Sequence, residues 1–137
     1  MDFISWDEKY ELNIQEIDSQ HRSLFILINR LYSSMIQQSP PLEIRYVLDE
    51  LVRYAQVHFK FEENFFSRIP FDEEDKVFHK KEHHDFSQKV ADFQKKLAAG
   101  EEQLTSDVMI FLKDWLNNHI LKTDMYFRDE YLKHGLK

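Results

Sequence analysis

Cysteine is absent from the 137 residues, and glycine and proline are scarce, with two and three copies. Without cysteine the chain has no disulfide, no thiolate ligand for a metal and no site for covalent haem attachment. So few turn-forming residues argue against an all-β fold and favour long helices with few connections. The lack of cysteine also agrees with a reducing cytoplasm, which is the location we expect.

Long apolar runs and an excess of positive charge are missing as well. No stretch approaches the length of a membrane span, and the N-terminal MDFISWDEKY shows no apolar leader segment. The net charge of −7, without a basic stripe, argues against nucleic acid or an anionic membrane surface as a partner. Hydrophobic residues make up 42% of the chain and aromatic residues 15%, which suffices for one core. We therefore expect a single domain over 1–137 and a monomer.

Four helical segments are predicted from the spacing of apolar residues and from the residues that interrupt it. They cover about 18–38, 41–68, 72–99 and 105 to about 121. Residues 123–135 either extend the fourth segment or form a short fifth helix, and 1–16 form an N-terminal arm packed through Phe3, Trp6 and Tyr10. Short connections between long helices predict an all-α, antiparallel up-down-up-down four-helix bundle over 17–137.

Polar side chains occupy inward positions in every one of these apolar stripes. In HFKFE, His58 and Glu62 are four residues apart and continue the stripe of Leu51. The same spacing recurs in HKKEH of the third segment. The inward imidazoles are His21 in the first segment, His58 in the second, His79 and His83 in the third, and His119 in the fourth.

A metal centre explains this joint pattern better than incidental histidines do. A lone HxxxH or HxxxE is usually a solvated surface pair, and His84 and His134, outside the stripes, are predicted to lie at the surface. Five buried imidazoles, however, cannot satisfy one another, because each neutral ring offers one donor and one acceptor. Imidazole suits iron, copper and zinc. With Glu62 and Asp124 the set numbers seven, which predicts two ions bridged by two carboxylates.

Asp124 fits this set only if the helix is irregular. It follows His119 by five residues, which is about 140° around an ideal helix. Local widening of the π type brings such a pair to one face and is frequent at functional sites. We therefore predict an irregular backbone between His119 and Asp124.

The spacing of these residues resembles that of the hemerythrin family, specifically its single-domain bacterial members. The family pattern of a first-helix His, HxxxE, HxxxH and HxxxxD is filled here by His21, His58, Glu62, His79, His83, His119 and Asp124. The segment containing Trp6 and IDSQH (residues 17–21) is similar to the family's N-terminal arm. Many bacterial relatives carry Gly in the arm where this chain has Asn13, and Asn tolerates a left-handed backbone.

The resemblance implies a non-haem diiron centre. One iron would take His79, His83 and His119, and the other would take His21 and His58. Glu62 and Asp124 would bridge them together with an oxo or hydroxo group. Dioxygen would bind as peroxide at the two-histidine iron, which is one ligand short. By position, the residues that match the family's oxygen-pocket wall are Leu24, Phe59, Trp115, Leu116 and Ile120, although plain core packing explains them equally well.

The function implied is reversible dioxygen binding, in a carrier, a store or a partner that delivers oxygen to an oxygen-using enzyme. Imidazoles outnumber carboxylates five to two, whereas the diiron carboxylate enzymes of four-helix bundles use more glutamate. We therefore expect a protein that is not an enzyme. The alternatives are an oxygen or redox sensor acting through a partner, a diiron oxidase or peroxide-handling enzyme, a metal buffer, and a helical adaptor without metal.

Overall fold

The computed structural model describes residues 2–101 and 103–136, and all regular secondary structure in these ranges is helical. Three residues of the predicted domain 1–137, Met1, Glu102 and Lys137, lie outside the described residues. The helices are α1 Gln15–Ile36, α2 Pro41–Phe66, α3 Glu73–Ala98, α4 Ser106–Asn118 and α5 Met125–Lys133, with a π-helical segment, His119–Asp124, between α4 and α5.

The helix ends follow from local chemistry. Pro41 stands at the first turn of α2, where its missing N–H costs nothing. The side chain of Asp72 accepts a hydrogen bond from the Asp75 amide at the start of α3, and Thr105 does the same for α4. Gly100, at φ 74°, follows α3 in the left-handed conformation typical of a helix C-terminus. The predicted bounds of the first three helices agree with the observed bounds to within three residues.

The four long helices form the predicted bundle. Backbones of α1 and α2, of α2 and α3, and of α1 and α4 lie side by side. Because short loops join successive helices, neighbours run in opposite directions and turn their apolar stripes to one core. The largest fully buried side chains in this core include Phe66, Phe127 and Tyr131. The all-α four-helix fold is thus confirmed.

Hydrogen bonds fix the N-terminal arm to the C-terminal part of the chain. The arm contains a short 3₁₀ turn, Glu8–Tyr10. Because α1 begins at Gln15, the arm ends at residue 14, which is two residues earlier than predicted. Asn13 adopts the left-handed conformation, with φ 61°, as its residue type suggested. The Tyr10 hydroxyl donates to Asn117 Oδ1 at 2.7 Å, and Arg128 Nε donates to the Leu12 carbonyl at 2.6 Å.

A single buried carboxylate holds the turn between arm and bundle. Asp18 is 5% exposed, and its two oxygens accept the backbone N–H groups of Leu12 at 2.9 Å and Asn13 at 3.0 Å. Its place in the first turn of α1 also suits the positive end of the helix dipole. The arm is thereby anchored three residues before His21. In the described part of the chain, no helix is long and apolar enough to span a membrane.

Candidate metal centre

The seven predicted ligand residues meet inside the bundle. Three helices and the π segment carry these residues. His21 lies on α1, His58 and Glu62 on α2, His79 and His83 on α3, and His119 and Asp124 in the π segment. All seven are at most 2% exposed. So many titratable groups in a dry core need compensation from one another or from bound ions.

The imidazoles point their Nε2 atoms at one another. His21 Nε2 and His58 Nε2 are 3.1 Å apart, and so are His83 Nε2 and His119 Nε2. Two atoms that each lie about 2.1 Å from one ion, at a right angle, are separated by about 3 Å. The nitrogen pairs therefore have the spacing of neighbouring ligands on one metal ion.

The two carboxylates lie between the two nitrogen pairs. Asp124 directs Oδ2 at His21 Nε2, 3.1 Å away, and Oδ1 at His79 Nε2, 3.2 Å away. Glu62 places Oε1 at 3.2 Å from His58 Nε2 and at 3.3 Å from His83 Nε2. Each carboxylate thus contacts imidazoles of both halves, as a bridging ligand does.

Two groups of possible ligand atoms follow from these positions. Glu62, His79, His83 and His119 form one group, and His21, His58, Glu62 and Asp124 form the other, with all atoms of a group within 4.8 Å of one another. We call them the three-imidazole cluster and the two-imidazole cluster. Their division of the histidines is the one that the family resemblance implied.

Several atoms of the site have no hydrogen-bond partner, which tests whether metal ions fit it. Both oxygens of Glu62, both oxygens of Asp124 and both ring nitrogens of His79 are buried without a hydrogen bond. Buried polar groups are normally satisfied, and leaving one unpaired costs about 1–3 kcal/mol. Imidazole nitrogens together with carboxylate oxygens are a donor set for iron and other transition metals. The residues therefore fit a pair of metal ions.

The electrostatics of the cluster favour ionised carboxylates. Burial alone would raise the pKa of Glu62, but His58 and His119 hold that pKa well below its ordinary value. For Asp124, burial and Glu62 both raise the pKa, yet His119 and His21 lower it overall. Burial would lower the pKa of His119, but Asp124 and Glu62 raise it to about 10. In the metal-free protein the buried negative charge is therefore offset by a protonated imidazole.

The backbone between His119 and Asp124 is irregular, as predicted. All six residues from His119 to Asp124 are π-helical, with α-helix on either side. The wider turn accommodates one extra residue, so that His119 and Asp124 both face the core despite their five-residue spacing. The predicted fourth helix, which was expected to run to about Leu121, therefore ends as an α-helix at Asn118.

Partners of the outer imidazole nitrogens were missed by the sequence analysis. His58 Nδ1 lies 2.5 Å from Gln20 Oε1, His83 Nδ1 lies 2.7 Å from Glu63 Oε2, and His119 Nδ1 lies 2.6 Å from Glu82 Oε1. Oxygens accept, so each Nδ1 carries the proton and leaves Nε2 free to bind a metal. Thr123 also donates to Glu82 Oε1, at 2.7 Å. The sequence offered one signal for these acceptors, because each of them is adjacent in sequence to a predicted ligand residue.

The predicted pocket wall is largely assembled beside the cluster. Leu24, Phe59, Trp115 and Leu116 line a cavity of about 10 Å³, the least that a single water molecule requires. Phe59 stacks on His83 with ring centroids 4.0 Å apart, and Trp115 stacks on His119 at 4.6 Å. Ile120 is fully buried but does not line the cavity. His84 and His134 are exposed, as predicted.

The helical fold and the buried cluster define a metal-binding four-helix bundle. The chain belongs to the hemerythrin family: the model of the hemerythrin HHE cation binding domain matches residues 12–129. The chain is 34% identical over 128 residues to the bacteriohemerythrin of Methylococcus capsulatus, covering 93% of this chain and 95% of that protein. It is 32% identical to a hemerythrin-like protein of Naegleria gruberi, covering 90% of each.

A solved structure agrees with these sequence relatives. The crystal structure of wild-type hemerythrin superposes with a TM-score of 0.86 at 32% identity, and the match covers 93% of this chain and 97% of that one. The likeness spans nearly the whole described chain, so it includes all four helices that carry the cluster.

Proposed function

We propose that this protein binds dioxygen reversibly at a centre of two iron ions, without turning it over. The observation that carries the proposal is the pair of clusters: five Nε2 atoms and two carboxylates converge in a dry core beside a small apolar cavity. Ferrous ions in that place supply the electron pair that reversible dioxygen binding requires.

Each ligand residue then has a defined task. His79, His83 and His119 would hold one ion, His21 and His58 would hold the other, and Glu62 and Asp124 would be shared between them. The two-imidazole cluster offers its ion one imidazole fewer than the three-imidazole cluster offers. That ion would therefore be the one with room for an external ligand.

The wall of the cavity favours binding over chemical turnover. Among the described residues that line it, from Leu24 to Leu116, none is titratable. An apolar wall excludes the water and anions that would promote irreversible oxidation, and it offers no general acid to drive dioxygen reduction further. The expected role is therefore that of a carrier or store that delivers oxygen, for example to an oxygen-using enzyme.

The test is a visible spectrum of anaerobically reduced, iron-loaded protein under argon, then in air, then under argon again. An absorption band that appears in air and disappears under argon supports reversible binding. A stable ferric spectrum, or continuous oxygen uptake, contradicts the proposal and favours an oxidase.

Two substitutions on one helix give a matched control for that spectrum. His83→Ala removes a predicted ligand and should abolish the band together with part of the bound iron. His84→Ala removes the exposed neighbouring imidazole and should leave both unchanged. Equal behaviour of the two variants would contradict the assigned ligand set.

A further inference from the structure

The side chains that hold the outer imidazole nitrogens follow one rule along the bundle. Gln20 of α1 accepts from His58 of α2, Glu63 of α2 accepts from His83 of α3, and Glu82 of α3 accepts from His119 at the end of α4. Each acceptor is adjacent in sequence to a predicted ligand on its own helix. Each of the helices α1, α2 and α3 thus presents a ligand and, with an adjacent residue, orients a ligand on the following helix.

The three acceptors differ in charge. Gln20, which serves the two-imidazole cluster, is a neutral amide, whereas Glu63 and Glu82, which serve the three-imidazole cluster, are carboxylates. An amide oxygen would satisfy an Nδ1–H group equally well, as Gln20 does for His58. The hydrogen bonds alone therefore do not require the two glutamates to be carboxylates.

Glu82 is the most constrained of the three. Its Oε1 accepts from His119 Nδ1 and from the Thr123 hydroxyl, so one carboxylate holds two residues of the π segment. Thr123 directly precedes Asp124. Glu82 therefore positions His119 and, through the backbone, helps to position Asp124.

A carboxylate that accepts from an imidazole increases the electron donation of that ring to a bound metal. We propose that Glu63 and Glu82 are positioning residues that make the two metal positions unequal. The three-imidazole cluster holds its ion more tightly and favours the ferric state, while the neutral Gln20 leaves the other ion easier to lose and to reduce. The inference rests on the proposed two-metal centre.

Isosteric exchanges separate charge from shape. Glu82→Gln and Glu63→Gln each remove a charge from the three-imidazole side, and Gln20→Glu adds one to the two-imidazole side. Glu50→Gln, on the surface with Arg30 as its partner, removes the same charge away from the cluster and serves as the control. Far-ultraviolet circular dichroism of each variant checks that it folds.

The first measurement is the loss of Co²⁺ from the full-length, cobalt-loaded chain to a competing chelator. The wild type should bind two ions and lose them in two phases. Glu82→Gln and Glu63→Gln should weaken the tighter site by about 10–100-fold and leave the weaker one unchanged. Gln20→Glu should strengthen the weaker site. Glu50→Gln should match the wild type.

The second measurement is the reduction potential of the iron-loaded variants. If these residues had only a structural role, the exchanges would not shift that potential in opposite directions. Glu82→Gln should raise the potential and Gln20→Glu should lower it. If the wild type does not bind two ions, the proposed centre and this inference both fail. If it binds two ions but the exchanges change neither affinity nor potential relative to Glu50→Gln, only this inference is overturned.

Discussion

Metal removal should destabilise the whole bundle, because the centre joins all four helices. Without ions, the oxygens of Glu62 and Asp124 and the ring nitrogens of His79 are buried without hydrogen bonds. The unfolded chain has no preformed site, so the free energy of metal binding adds directly to the free energy of unfolding.

The size of the effect follows from linkage. One ion present at a thousand times its dissociation constant stabilises the native state by about 4 kcal/mol. The entropy of unfolding is about 2.1 cal/mol/K per residue, which for 137 residues amounts to about 0.3 kcal/mol/K. A single ion should therefore raise the melting temperature by about 14 °C, and two ions by more.

The assay is thermal unfolding of metal-free and metal-loaded protein, followed by circular dichroism, with the metal content of each sample measured. Protein from which metal has already been removed, treated again with chelator, controls for effects of the chelator itself. A shift below about 2 °C in protein that holds two ions would refute the reasoning, since the ions would then contribute nothing specific to the folded state.

Three further predictions concern the cavity, the arm and the protons of the site. Leu24→Ala should speed autoxidation of the oxygenated protein several-fold, because it opens the apolar wall to water; an unchanged rate at full iron content would contradict the assignment of this wall. Asp18→Ala should lower the free energy of unfolding by about 2–4 kcal/mol, because the backbone N–H groups of Leu12 and Asn13 lose a charged acceptor. Asp18→Asn should cost less in denaturant titrations, and equal losses would argue against the role of the charge. Metal loading at neutral pH should release protons. His119, with a pKa of about 10, is protonated in the metal-free protein and must lose that proton to bind a metal. An unbuffered metal titration that does not acidify the solution would contradict this prediction.

The sequence alone was sufficient to predict which polar side chains face the interior of the bundle. Apolar residues at steps of three and four placed His58, Glu62, His79 and His83 on inward faces, and each of them is less than 3% exposed. The five-residue step from His119 predicted the π segment, because no ideal α-helix could bring Asp124 to the same face.

The outer side of the site could not be predicted, because it depends on distances between helices. Nothing in the sequence shows that Glu82 reaches His119, 37 positions away. Likewise the bond from Arg128 to the Leu12 carbonyl joins residues 116 positions apart. Ile120 was assigned to the pocket wall by its position in the family pattern, and it is fully buried without lining the cavity.

The π segment ties the ligand geometry to the packing of the C-terminus. A π turn of this kind corresponds to a single inserted residue within an otherwise α-helical sequence. Without one of the residues between His119 and Asp124, a regular α-helix would place the histidine and the carboxylate four residues apart and on one face. The wide turn absorbs the extra residue, so that Phe127 and Tyr131, at most 1% exposed, keep inward positions. A regular α-helix of the present length would instead rotate Asp124 and everything after it by about 100°. The wide turn therefore lets the chain carry the five-residue ligand spacing without losing the anchoring of α5.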